Sequence, residues 1–162
     1  MPHIGAPSAV GKDAWERTLA EAERISRNLV DDGWTTLTIP TGAVTLKPPS
    51  AGETERFGFI HVVPGNYADK FDREFADVDY TAYDVFRKEI EREVYFITVL
   101  YAAEERKTIL LAGAYRADME SNLEEAGREA GVIYTHLQRL DGTHLCSIEH
   151  DQFEKFFEST EE

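Results

Sequence analysis

Seven side chains able to ligate a metal or carry a proton crowd the last third of the chain: His136, Asp141, His144, Cys146, Glu149, His150 and Asp151. Imidazole and carboxylate together suit zinc or manganese, so His136, His144, His150 and Asp151 form the candidate metal set, weighed against exposed or satisfied structural histidines. Their geometry depends on one turn. Val132–Leu140 and Thr143–Ile148 read as strands around Asp141-Gly142, a dipeptide that accepts the positive φ angles of a two-residue hairpin loop. With that loop Arg139 faces His144, and His136 falls on the sheet face opposite His144. A three-residue loop would put both on one face, so turn length decides. The chain has no cysteine pair, no two-histidine helical zinc motif and no EF-hand loop. Cys146 and His144, two apart on a strand, share a face but lie ~6.5 Å apart along it, beyond the ~3 Å that a thiolate and its base need. Cys146 therefore reads as a half-buried structural residue.

Three further motifs carry weaker chemistry. Val62-Val63-Pro64-Gly65-Asn66 ends a strand and opens a helix, which puts backbone amides at Gly65 and Asn66 where an anion could sit. It lacks a phosphate-loop lysine or a GxGxxG run, and a plain Pro-Gly turn accounts for it better. The segment His150 to Phe157 resembles a sliding-clamp-binding peptide, with His150 where glutamine is usual and Phe153, Phe156 and Phe157 as partner-binding rings. That reading requires the rings to be exposed; otherwise they dock on their own sheet. A restriction-type nuclease core is excluded, because Thr108–Tyr115, the natural place for its metal-holding acid and lysine, carries no charge.

These residues need elements to hold them. Asp13 and Glu16 read as an N-cap and its reciprocal acid, followed by Trp15, Leu19, Ala22, Ile25 and Leu29 at helical spacing up to Gly33. Trp34–Ile39 reads as a strand, Pro40-Thr41-Gly42 as a turn, and Ala43–Lys47 as a short strand before the loop at Pro48–Gly52. Phe57–Val63 is a strand, and Asn66 caps a short helix carrying Tyr67, Phe71 and Phe75. Tyr83–Ile90 fits either period and is taken as a strand. Val94–Tyr101 and Thr108–Tyr115, apolar on both faces, form a central antiparallel pair, with Gly113 at a bulge or close approach. A helix from Asp118 buries Met119, Leu123, Ala126 and Ala130 and ends at Gly131, and a last helix runs Asp151–Phe157. The expected fold class is α+β: one domain, 13–158, with a largely antiparallel sheet and N-terminal, middle and C-terminal helices packed on it, a flexible 1–12 and a tail at 159–162.

Charge bounds the setting. The 162 residues hold 31 Asp and Glu against 17 Lys and Arg, a formal net of −14, with the acids spread through the apolar pattern and eleven arginines to six lysines. Such self-repulsion is relieved at ~1 M salt, where the Debye length falls to ~3 Å. A halophilic, salt-loaded cytoplasm is the expected home, against a nucleic-acid mimic or an ordinary acidic surface. No basic patch is visible for direct nucleic-acid binding, no apolar run spans a membrane, and the start lacks secretory-signal character. One cysteine, Cys146, cannot form an internal disulfide.

Phe57–Asn66 (FGFIHVVPGN), Leu110–Tyr115 (LLAGAY) and Leu140–Phe157 (LDGTHLCSIEHDQFEKFF) resemble an uncharacterised domain family of haloarchaea, over roughly residues 30 to 158. The resemblance implies salt adaptation and no activity, cofactor or site. The expectation is a non-catalytic binding or regulatory module with no cofactor and a possible protein partner or homodimer. The rival is a small metal-dependent hydrolase using His61, His136, His144 or His150. Two histidines converging with an acid in a concave pocket would favour the enzyme.

Overall fold

Alternating apolar residues on eight strands build two facing sheets, the arrangement that buries both inner faces at once. The computed structural model describes residues 9–47 and 57–158. Helix α1 (Ala9–Asp31) precedes β1 (Thr35–Ala43), β2 (Thr45–Lys47) and β3 (Gly58–Val63). Helix α2 (Gly65–Lys70) continues as a wide turn over Phe71–Phe75, and β4 (Ala82–Ile90), β5 (Glu93–Ala102) and β6 (Lys107–Arg116) follow. A 3-10 turn at Ala117–Met119 leads into α3 (Glu120–Ala130), then β7 (Ile133–Arg139), β8 (His144–His150) and a final 3-10 turn, Glu154–Phe157.

The first sheet has strand order β1-β6-β5-β4 and the second β2-β3-β7-β8. Four neighbour pairs are antiparallel; β1 with β6 and β3 with β7 are parallel. The class is the expected α+β, but the strands divide between two sheets rather than one. The division occurs at a single residue. Pro40-Thr41-Gly42 is a bulge within β1, which stays paired to β6 through Ala43, and not a turn. Proline is tolerated there because β1 is an edge strand. Val44 then donates its N–H to Ala114 at 2.8 Å, and Thr45 already belongs to the second sheet. Gly113 is the close approach this corner requires, since a Cβ on it would lie 2.5 Å from the Val44 side chain.

The core lies between the sheets. Phe59, Phe96, Tyr115 and Phe156 pack at one end with Leu123 of α3, while Val63, Leu100, Ile109 and Leu137 pack at the other with Ala68, Phe71 and Phe75. Helix α1 covers the outer face of the first sheet, setting Ala22, Ile25 and Leu29 on Ile97, Val99 and Leu110. It starts at Ala9, upstream of the expected cap and inside the 1–12 segment expected to be flexible; Asp13 pairs with Arg17 at 3.1 Å within the helix. Leu123 of α3 is buried, but Met119 in the preceding 3-10 turn and Ala130 at the helix end are exposed; the close contact is made by Gly127 against Ile133 and Phe153. Gly131, at φ 81°, ends the helix as expected.

Candidate functional site

The loop between β7 and β8 sets the site. Arg139 receives a bond from Gly142 and donates its own N–H to Thr143 at 2.8 Å, so Leu140-Asp141-Gly142 is a three-residue loop, with Gly142 at φ 93°. This corrects the two-residue loop read from Asp141-Gly142: a type I turn followed by a left-handed glycine is the next commonest way to close a hairpin. Asp141 Oδ1 also accepts the Thr143 N–H at 2.9 Å, and that bond holds its carboxyl below the usual range. Farther along, Leu137 pairs with Cys146 and Gln138 with His144, leaving Leu145 as an extra residue. A bulge resets the side-chain alternation. His144 and Cys146, expected on one face, therefore lie on opposite faces, while His144 and Ser147 lie together.

The result is a convergence on one oxygen. His136, directly across from Ser147, has Nδ1 2.7 Å from the Ser147 hydroxyl, and His144 has Nε2 2.8 Å from that same atom. A hydroxyl has one proton to give, so one imidazole accepts it while the other donates an N–H to Oγ. Tyr134 stacks on the His136 ring with centroids 5.7 Å apart and planes at 10°, which orients that ring from the same strand. Ile60 of β3 flanks His136 from the other side. Around this cluster the outer face of the second sheet carries Val62, Gln138 and, toward its edge, Glu149. The described helices send their buried side chains elsewhere, α1 to the first sheet and α2 and α3 between the sheets. The second sheet thus presents an outer face that no described helix covers.

The remaining members of the metal set are apart from it. His150 faces the core, 2% exposed, with Nε2 2.7 Å from the Thr135 hydroxyl and its ring 4.3 Å from Tyr83. Asp151 is exposed beyond the strand end. Among the described residues no three His, Cys, Asp or Glu side chains gather closely enough to hold a metal by themselves. His61 is fully buried. Its Nδ1 lies 2.9 Å from the Thr41 hydroxyl, whose own proton goes to the Ala112 carbonyl at 3.0 Å. Nδ1 is therefore the protonated nitrogen, and Nε2 is left as a buried lone pair without a partner among the described residues. Burial pulls both His61 and His150 down to about 3, so they are neutral core residues. Cys146, half-buried as expected, has its thiol pushed up to about 11 by burial.

Two other expectations are corrected. Pro64, not Asn66, precedes the first turn of α2 and makes no side-chain cap; Gly65 and Asn66 lie exposed in that first turn. Phe153 and Phe156 are buried, with Phe156 4.6 Å from the Phe59 ring, and Phe157 packs against the same cluster. The Asp151–Phe157 helix shortens to one 3-10 turn because these rings are drawn inward. The docking reading, which needs them exposed, loses its basis. Sequence reasoning missed Ser147, visible only once the bulge is known. It also missed the network in which Arg87 and the Tyr115 hydroxyl both donate to Glu120. Burial and the Glu120 charge raise the Tyr115 phenol, so it remains a donor.

Matching extends over nearly the whole sequence, from residue 2 to residue 158, and the matching profile is that of a family of unknown function, DUF7529. The chain belongs to this family. No curated protein matches it, and no solved structure matches it. An uncharacterised domain family is what the blocks at Phe57–Asn66, Leu110–Tyr115 and Leu140–Phe157 resemble, and the family match bears this out.

Proposed function

We propose that this member of DUF7529 is a salt-adapted protein of a salt-loaded cytoplasm that works by binding, not by catalysis, and that it binds on the outer face of its second sheet. The observation that carries this reading is the pair of imidazoles meeting at Ser147 on a face left open by every described helix. Polar groups converging on one point supply orientation and specificity in binding sites. The surface supports the salt adaptation: every described Asp and Glu is exposed or half-buried, and none is in the core.

A hydrolase would require more than a hydroxyl beside an imidazole. Acyl transfer needs donors aimed at the developing oxyanion and walls that exclude water, whereas this cluster lies on a sheet face. Hydrolysis of p-nitrophenyl acetate and of bis(p-nitrophenyl) phosphate in molar KCl, comparing the wild type with Ser147→Ala, tests the choice. The expected outcome is equal, background rates for both proteins. Turnover that falls at least tenfold in Ser147→Ala would make Ser147 a nucleophile and replace the binding reading with an enzyme.

A further inference from the structure

We infer that His136, His144 and Ser147 form a binding site for one borderline divalent transition-metal ion, of the copper or zinc kind. The inference rests on the binding reading above and names the class of ligand. Imidazole nitrogen is the donor these ions favour among uncharged side chains, and two imidazoles on neighbouring strands are held in place by the sheet itself. Here the facing nitrogens are already within 2.7 and 2.8 Å of a common atom. Ordinary metal–nitrogen bonds of ~2.0–2.1 Å require the rings to swing inward slightly. Exposed His144 can make that movement, while stacked His136 stays as the fixed member.

The protonation chemistry is consistent. A metal needs a lone pair from each ring, whereas at present one ring holds a proton toward Ser147. That ring has only to move its proton to its other nitrogen, so no net charge is created on the protein. The Ser147 hydroxyl then becomes a weak third ligand or turns aside. Water fills the remaining positions, because no third His, Cys, Asp or Glu joins the cluster among the described residues. Such a site is open and exchangeable, unlike the closed four-ligand shells that hold structural zinc. The order of affinity follows the Irving–Williams series, with Cu(II) above Zn(II).

Titration of the full chain against a chromophoric chelator, in molar KCl at neutral pH, tests the assignment. All proteins should carry His3→Ala, since His3 lies outside the described residues and offers another imidazole near the chain start. The expected result is one ion per chain, Cu(II) tighter than Zn(II). His136→Gln and His144→Gln should each weaken binding at least tenfold, and Ser147→Ala about threefold or less. The ion should also raise the melting temperature of the parent protein but not of His144→Gln, which is an exposed substitution with little effect on folding. Absence of saturable binding, or binding that His144→Gln leaves unchanged, overturns the metal assignment. That failure is separable from failure of the binding reading, which only the Ser147-dependent turnover described above would remove.

Discussion

The four histidines among the described residues divide by environment into two kinds, and the division has a measurable consequence. His61 and His150 face the core, where an imidazolium would lose its hydration, and each has been drawn down to about 3 against an ordinary value of about 6.5. Below pH 6.5 the unfolded chain takes up protons at these two positions and the folded chain does not. Stability is therefore fully present above about pH 6.5 and falls as the pH drops toward 3, with a limiting slope of about 1.4 kcal/mol per pH unit for each histidine. Urea melts in constant molar KCl between pH 7 and 5, above the range where surface carboxylates titrate, should show the midpoint falling. His150→Gln, which keeps a donor for Thr135, should flatten that fall by about half. A midpoint flat with pH would mean that these rings are charged or solvated in the fold.

Among the elements, the tightest local conflict lies between β4 and β5. Ile90 pairs with Glu93, so Glu91 and Arg92 form a two-residue loop, and both have positive φ, 53° and 70°. Neither is Gly, Asn or Asp, the residues that adopt that conformation cheaply. Arg92→Gly should stabilise the protein by about 1 kcal/mol, because the Arg92 carbonyl that accepts the Ala117 N–H is retained. A lower denaturation midpoint in this variant would show that the Arg92 side chain holds the turn. This loop also shows where sequence reading stops. The central pair β5 and β6 was legible because eight-residue apolar runs flank a polar link, and Gly131 was legible as a helix end. The Glu91-Arg92 hairpin was not, because twist and register imposed a turn on residues that do not ask for one. Likewise Pro40-Thr41-Gly42 carries turn chemistry yet serves as a bulge, since pairing to β6 on one side outweighs local preference. The site suffered the same fate: the histidines were visible, but their meeting depends on a three-residue loop and a bulge at Leu145, neither encoded by a single dipeptide.

Across the whole molecule, the acids are the dominant fact. They form a shell outside a core that holds neutral histidines and threonines in place of charges, and the ion pairs among the described residues, such as Arg139 with Asp69 and Asp72, are largely solvent-exposed. Exposed pairs of this kind contribute at most about 1 kcal/mol each, too little to offset a net of −14 spread over one domain. On the proposed salt-adapted reading, mobile ions supply the rest by screening, which is strong once the Debye length is ~3 Å at 1 M salt. Thermal unfolding of the purified chain at neutral pH, in dilute buffer and in molar KCl, measures this directly. The account predicts a melting temperature at least about 10 °C higher in KCl, as a change of a few kcal/mol gives for a domain of this size. A chain that melts as high in dilute buffer as in molar salt would contradict it.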